Sequence, residues 1–297
     1  MKKNKKILIT GVCGVFGSTL AVFLQDQGYF VEGLDIPTSS PPIDLGNIRV
    51  HETNMLDVDA LGILIKDFDC IIHLAAISRV KHAKKNPLNA ITANIMTTAS
   101  LLEVIRISDR KPSMIFASSI EVNVDEKGAY KPTNLYGITK SFGELLAQRY
   151  CADYGLKVAV ARIPGIYGAL YDYPDKVPNI LIKNCLEGLT VKIPKQSKKM
   201  PYVHLKDMCR IMVEAIEQIL TFKENSYSVF EIKPNNNIDL KELVNEILIA
   251  TGEKSSIEYF DNREDLSFNL SSIKYKEPEI ELKEGISLLV ESFLSSG

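Results

Sequence analysis

Three observations predict an α/β fold, a doubly wound parallel sheet that carries a smaller, interleaved C-terminal lobe. The chain opens as strand, glycine turn, helix and strand; short apolar runs then alternate with helical patterns to residue 168; beyond that point the alternation breaks down. Strands joined by helical crossovers lie parallel, and such sheets bind ligands at the strands' carboxyl ends. The 297 residues, 45% apolar and 24% charged, suffice for a full core and two lobes. Residues 1–168, with 206–232 returning to them, are expected to form the sheet domain, and 169–205 with 233–297 the smaller lobe.

The opening unit runs from Lys5 to Asp35. Ile7, Leu8 and Ile9 are too short a run for a helix and suit a strand buried on both faces. Gly11, Gly14 and Gly17 follow, Phe16, Leu20, Phe23 and Leu24 recur at helical spacing, Gly28 stops the helix, and Tyr29 to Leu34 forms a second strand ending on Asp35. The glycines have a steric purpose: a dinucleotide pyrophosphate reaches a helix N-terminus only where the backbone turns tightly and no Cβ intervenes. Asp35, about 20 residues past the turn, is placed to accept from an adenosine ribose and to repel a 2′-phosphate. No Arg or Lys follows it until Arg49, so the cofactor expected is NAD rather than NADP. A glycine-capped strand-helix loop would show the same glycines alone; the strand before, helix after and acid at this distance argue against it. The first domain thus reads as Rossmann type.

Further along, a Pro- and Ser-rich loop leads to a strand near Ile48 to His51, and Phe68 to Leu74 reads as the next, closing on His73-Leu-Ala-Ala76. Small residues there would let a ribose or nicotinamide pass close to backbone, while His73 reads as a satisfied buried histidine without chemistry. Pro87 to Ile107 reads as one long helix containing Asn94, Ser113 to Ala117 as a strand delivering Ser118 and Ser119, and Leu135 to Tyr154 as a helix. Val158 to Ala161 is a strand. Residues 169–205, with Pro174, Pro178, Pro194 and Pro201, read as loop-rich. Helices Lys206–Leu220, Asp239–Gly252 and Leu282–Leu294 and a strand near Tyr227 to Ile232 complete the chain.

Composition narrows the function classes. A formal net charge of -2 without a basic stripe argues against nucleic acid. No run approaches the ~18 apolar residues of a membrane span, and the basic start reads as a solvated lead-in rather than a signal peptide. Five scattered cysteines, odd in number and never paired as CxxC, suggest neither a disulfide framework nor a metal site, hence a reducing cytoplasm. Cys13, inside the glycine loop, reads as small filler rather than a nucleophile.

Tyr136 and Lys140, four apart on a helix, stack on one face. Taking a hydride from a carbinol carbon requires removal of the hydroxyl proton, and a tyrosine near pKa 10 is a poor base at pH 7. An ammonium about 5 Å away at an effective dielectric near 20 is worth roughly 3 kcal/mol, enough to lower that pKa by about two. A positive nicotinamide ring adds a like effect, and the two together are expected to bring Tyr136 near neutrality. Ser119, at a neighbouring strand end, is suited to hydrogen-bond the reacting oxygen; Ser118 reads as structural. YxxxK alone is common on exposed helices, so its weight comes from following a serine-ended strand and a nucleotide turn.

TGVCGVFG, Asp35, the HLAA strand end, Asn94, the SS pair, YGITK and RIPGIYG together resemble the extended short-chain dehydrogenase/reductase family, the nucleotide-sugar epimerases and dehydratases, over essentially the whole chain. The tail agrees, Pro201 to Asp207 resembling the family's VHVDD element, and Arg263-Glu-Asp and Lys283-Glu-Gly-Ile its closing stretches. The resemblance implies an NAD held by Gly11, Gly14, Gly17, Asp35, Asp57, Tyr136 and Lys140, with Tyr136 as base and Ser119 assisting. Val15, Phe16, Ile36, Asn54, Met55 and Leu56 are further candidate cofactor contacts, as are Leu74, Ala75, Ala76, Asn94, Ala117, Ser118, Ile163 and Ile166. Ser78, Ser119, Gly165, Asn179, Tyr202 and Arg263 are candidate substrate contacts, with no metal. A homodimer on the helices containing Asn94 and Tyr136 is also implied.

Three departures qualify the resemblance. Met200 stands where the family commonly has an Arg that clamps the sugar diphosphate; Lys198 or Lys199 could substitute only as point charges. The stretch from Ser119 to Tyr136 is short, with Asn123 and Val124 in place of the usual tyrosine and glycine. Glu121 matches a glutamate that dehydratases use as a base, while their partner aspartate is Ile120; Glu121 is either such a base or a solvent-facing acid. The reading favoured is a redox-neutral enzyme acting on a nucleotide sugar with recycled NAD, as epimerase or dehydratase. The alternatives are a net NAD(H)-dependent dehydrogenase or reductase, and a non-catalytic NAD-binding interaction protein.

Overall fold

The apolar runs of the sequence become strands. In the computed structural model, which describes residues 5–172, 174, 176–197, 199–232, 237–252, 254–261, 275–276 and 279–295, these are β1 (Lys6–Thr10), β2 (Phe30–Asp35), β3 (Arg49–Glu52), β4 (Cys70–His73), β5 (Ser113–Ser119) and β6 (Lys157–Ile163). There follow β7 (Gly165–Tyr167), β8 (Val191–Pro194), β9 (Tyr202–His204), β10 (Ser226–Ile232), β11 (Ile257–Phe260) and β12 (Tyr275–Lys276). The main sheet has the order β3-β2-β1-β4-β5-β6-β10, with the two-residue β12 at the β10 edge. Every pairing from β3 to β10 is parallel.

Contacts divide the chain into two units. The first comprises Met1–Ile163, Cys209–Glu231 and Leu270–Tyr275; the second comprises Pro164–Met208, Ile232–Asn269 and Lys276–Gly297.

In the first unit the two-residue period of the strands feeds two cores. Ile7, Ile9, Cys70, Ile72 and Ile115 pack on one face with α1 (Val15–Asp26). Leu8, Ile71, Met114, Phe116, Val158 and Val160 pack on the other with α2 (Val58–Ile65). α3 (Val80–Lys85) and α4 (Pro87–Ile91) precede α5 (Thr97–Ile107), and α6 (Leu135–Tyr154) follows β5. β4 and β5 are buried at every residue, which is why they read as unbroken apolar runs rather than alternating ones. Each fully buried Ile or Leu contributes about 1.5–3 kcal/mol.

The long helix read over Pro87–Ile107 is not uniform: α4 and α5 are joined by a π-helical turn, Thr92–Met96. Thr97 and Thr98 take up carbonyls there, donating to Ala93 O at 2.7 Å and Asn94 O at 2.6 Å. By length and apolarity this helix could cross a membrane. Its Leu101, Leu102, Val104 and Ile105 instead pack in the second core.

The second unit corrects the expectation of a loop-rich 169–205. It contains α7 (Val177–Leu186), β8 and β9 in that stretch; α8 (Leu205–Ile219) begins after β9, and α9 (Leu240–Thr251) and α10 (Leu282–Ser295) come later. Two small parallel pairs, β7 with β9 and β8 with β11, join α7, α9 and α10 around one apolar cluster. The prolines punctuate rather than forbid structure: Pro178 opens α7, where a missing N–H is harmless, and Pro194 ends β8. α9 starts on a capping box, Asp239 with Glu242.

All five cysteines are free and buried. Among the described residues no group of His, Cys, Asp or Glu could hold a metal ion.

Candidate active site at two strand ends

The first junction joins β1 to α1. Gly11 has φ +73°, and a Cβ there would lie 2.7 Å from Ala75 N, so this glycine is required by the end of β4 as well as by its own turn. A Cβ on Gly17 would fall 2.2 Å from Gly11 O. Gly14 is the N-cap of α1 and offers no side-chain cap, so the first-turn N–H groups around Val15 and Phe16 are left for an anion. Asp35 accepts from Cys13 N and Ile36 N, both at 2.8 Å, one per oxygen, which ties the loop to the tip of β2. Burial, with Asp35 next in effect, pushes the Cys13 thiol up to about 11, so it is no nucleophile at neutral pH. A side-chain-free cradle, an uncapped helix start and a carboxylate at the second strand's tip fit a dinucleotide.

Several of the remaining candidates around this junction also make local hydrogen bonds. Asn54 Oδ1 accepts from Leu56 N, and Asp57 caps α2 by accepting from Ala60 N, each at 3.0 Å. Met55 is buried, whereas Ile36 and Leu56 are exposed. His73 bridges Thr10 Oγ1 at 2.8 Å and Thr98 Oγ1 at 3.0 Å, and burial, followed by Lys140, pushes it down to about 3. Asn94 projects from the π-helical turn. Its Oδ1 accepts from Ile77 N at 2.8 Å and its Nδ2 donates to Thr139 Oγ1 at 2.9 Å, joining the end of β4 to α6. Leu74, Ala75 and Ala76 are half-buried beside it, and Ser78 is exposed.

The second junction joins β5 to α6. Asn134 caps α6, its Oδ1 accepting from Gly137 N at 2.9 Å, and its Nδ2 donates to Glu121 Oε2 at 2.6 Å. Ser119 Oγ accepts from Glu121 N at 3.2 Å and shares a side-chain hydrogen bond with Tyr136. Ser119, Glu121 and Tyr136 are thus brought together. Lys140, 3% exposed, donates to Ala117 O at 2.8 Å and stands 5.9 Å from the Tyr136 ring centre. Burial pushes its pKa down to about 8, with Glu144 opposing. Tyr136 moves the other way: burial raises it, the Ser119 hydrogen bond opposes and the Glu121 charge adds. The chain's own groups therefore do not bring this phenol near neutrality, because desolvation outweighs the Ser119 hydrogen bond and the Glu121 charge adds to it.

Sequence reasoning missed four residues here. Ser118 Oγ donates to Glu144 Oε1 at 2.5 Å, Tyr130 O–H to Glu144 Oε2 at 2.8 Å, and Arg162 Nη2 to the same oxygen at 2.7 Å. Asn134 is the fourth. Glu144 lies four residues past Lys140, so the helical spacing that linked Tyr136 to Lys140 would have found it.

In the second unit Gly165 and Ile166 belong to β7 and Tyr202 to β9; a Cβ on Gly165 would come within 3.1 Å of the Tyr202 ring. Asn179 is buried on α7 and donates to Ala169 O at 3.3 Å. Met200 pairs antiparallel with Ile238, and Lys199 reaches Glu242 at 3.4 Å. Arg263 and Lys198 lie outside the described residues, while Ile163 ends β6 in the first unit.

The model of the NAD dependent epimerase/dehydratase family matches residues 7–229. UDP-glucuronate 4-epimerase 6 of Arabidopsis thaliana is 28% identical over 235 residues, 71% of this chain and 51% of that protein. The dTDP-glucose 4,6-dehydratase of Streptomyces niveus is 27% identical over 267 residues, 83% of this chain and 78% of that one. The chain spans about half the length of several curated relatives it matches, the Arabidopsis epimerases among them. Among solved structures, UDP-glucose 4-epimerase of Thermotoga maritima superposes with TM-score 0.84 at 25% identity, covering 98% of this chain and 99% of that one. UDP-N-acetylglucosamine 4-epimerase of Methanobrevibacter ruminantium M1 gives 0.86 at 21%, covering 99% and 100%. With the cradle at β1, the acid at β2 and the Ser-Tyr-Lys set at β5 and α6 all inside the matched span, the chain belongs to the NAD dependent epimerase/dehydratase family.

Proposed function

We propose that the chain is an NAD-dependent enzyme that modifies a nucleotide-activated sugar by transient hydride abstraction, in the manner of an epimerase or dehydratase. The observation that carries this reading is the second junction, where Ser119 shares a hydrogen bond with Tyr136 and Lys140 stands one helical turn away. An NAD held by the glycine turn and Asp35 would supply the hydride acceptor and, later, the hydride donor. Tyr136 takes the hydroxyl proton and Ser119 donates to the same oxygen as it becomes a carbonyl, while Lys140, one helical turn away, is the cation whose field, with the positive ring that a bound NAD would add, has to offset the burial of the phenol. Glu121, held by Asn134 beside this pair, serves as a further acid or base for a proton on the neighbouring carbon, the step a dehydratase adds. The curated relatives support the substrate class, being named as UDP-glucuronate epimerases and a dTDP-glucose dehydratase.

We assign cofactor binding to the first unit and the choice of sugar to the second, whose Gly165, Asn179 and Tyr202 are the candidate contacts. Met200 in place of a diphosphate-clamping Arg favours one second reading, a net dehydrogenase or reductase of another small alcohol. Five buried free thiols suit a reducing cytoplasm. Ile138, Phe142 and Leu145 are exposed on one face of α6, and Leu88, Ile91 and Met96 on the helix before it, which supports a homodimer. Phe142→Lys is expected to convert it to a monomer in analytical ultracentrifugation.

The deciding experiment is mass spectrometry of the small molecules released when the purified protein is denatured, followed by incubation with UDP-glucose, UDP-glucuronate, UDP-N-acetylglucosamine and dTDP-glucose. Released NAD and an isomerised or dehydrated sugar without net NADH are expected. Stoichiometric NADH would move the reductase reading to first place, and NADP would overturn the reading of Asp35.

A further inference from the structure

Three consecutive residues at the end of β5 are each held by a different turn of α6. Ser119 is bonded to Tyr136, the Ala117 carbonyl accepts from Lys140, and Ser118 donates to Glu144. Positions 136, 140 and 144 share one helix face. The proposed chemistry employs the first two rungs and leaves Glu144 without a task. Yet its side chain is 0% exposed, a place where a carboxylate persists only if compensated. Compensation is complete: Arg162 donates Nε to Oε1 at 3.1 Å and Nη2 to Oε2 at 2.7 Å, and Ser118 and Tyr130 supply one further donor to each oxygen.

Resting on the reaction proposed above, we propose that Glu144 is a positioning residue for it: a fixed buried carboxylate that sets β5 against α6 and backs the Lys140 ammonium from one helical turn away. Four donors hold the carboxylate, so it acts on Lys140 at a distance instead of collapsing into an ion pair that would consume the ammonium. Among the described residues the ammonium, with its three donors, donates to the Ala117 carbonyl at 2.8 Å. The groups facing Lys140 are His73 from β4, the Phe116 ring of β5 at 5.1 Å, and Tyr136 and Glu144 on its own helix. His73 is neutral, and Tyr136 is faced in turn by Glu121. Glu144 is therefore the charge that opposes burial at Lys140, while Arg162 is faced by Tyr130 and Glu231 and Tyr227 O–H reaches the Glu144 backbone carbonyl at 3.3 Å.

The test reads Lys140 directly, by 13C NMR titration of protein labelled at lysine Cε, with the Lys140 signal identified by its loss in Lys140→Met. Glu144→Gln is expected to move the Lys140 midpoint to lower pH by about one pH unit, a tenfold smaller ammonium fraction above it. The alkaline limb of kcat should fall with it. If Glu144→Gln fails to fold because Arg162 is left unpaired, the double variant Glu144→Leu/Arg162→Met removes the pair while keeping apolar volume, an exchange that is often neutral or stabilising. A downward shift is expected there too, smaller than in Glu144→Gln because the Arg162 cation leaves with the carboxylate. A folded variant of either kind whose Lys140 titration matches wild type overturns the proposal. The titration needs neither cofactor nor sugar, so a wild type with the expected Lys140 midpoint but no turnover counts against the proposed reaction alone.

Discussion

The junctions β1–α1 and β5–α6 occupy the same topological step, a strand end feeding a helix, and are built in opposite ways. The first works by omission: Gly11 and Gly17 leave no room for a Cβ, and Gly14 offers no side-chain cap, so backbone N–H groups stand open at the start of α1. The second works by burial of charge, with Lys140, Glu144 and Arg162 all below 5% exposed and cross-linked by serines and tyrosines. A ligand shared by many enzymes needs only a shape and a dipole. Moving a proton needs side chains whose affinities for it have been displaced from their solution values. The first junction should therefore fail when atoms are added, and the second when they are removed.

Removing the Tyr136 hydroxyl should have the largest effect. Tyr136→Phe is expected to lower turnover about 10³-fold, in the range of a lost general base, with NAD content unchanged by mass spectrometry. Full activity in that variant would place the proton chemistry outside the second junction. Next, Gly17→Val adds atoms 2.2 Å from Gly11 O. An overpacking cost of about 3 kcal/mol corresponds to roughly a hundredfold weaker NAD binding in calorimetry, with Tyr136 and Lys140 untouched.

Asp35→Asn sharpens the comparison, because Asp35 is the one charged side chain the first junction relies on. The NAD over NADP preference is expected to fall about tenfold, the scale of one charge-assisted hydrogen bond. An unaltered ratio would mean that Asp35 serves only to tether Cys13 and Ile36.

The smallest effect concerns stability. Lys140 has a folded-state pKa of about 8, below its ordinary 10.5. At pH 7 the folded chain carries the full cost of a buried ammonium; as pH rises from 8 to 10.5 it sheds that proton before the unfolded chain does, and stability climbs. Lys140→Met should be about 1–3 kcal/mol more stable than wild type at pH 7, the advantage disappearing by pH 10.5 in denaturant melts. An equal gain at both pH values would mean better packing, not relief of charge.

How much of this was legible in the sequence follows the same division. β1, β4 and β5 could be read because strands buried on both faces are continuous apolar runs, and the glycine loop because omission leaves a spacing. Helical spacing from Lys140 reaches Glu144, but its burial was not legible, since a glutamate on a helix reads as solvent-facing until its partners, Tyr130 and Arg162, are brought from 14 and 18 residues away. Asn94 was expected on the helix read over Pro87–Ile107, but the pairing of its amide with Ile77 and Thr139 is one that no local pattern announces. In the second unit β8 and β11 are four residues each and pair across more than sixty, too short for a period and too distant for a turn signal.

The five free, buried cysteines give the chain a built-in set of clocks. A thiol reagent reaches each only when its surroundings open, so labelling rates measure local opening free energies at five addresses. Cys13 times the glycine loop, Cys70 the middle of the sheet, Cys151 the far end of α6 and Cys209 the body of α8, while Cys185 times α7 in the second unit. Wild-type protein, with nothing engineered into it, can thus report whether a nucleotide tightens one loop, one unit or the whole chain.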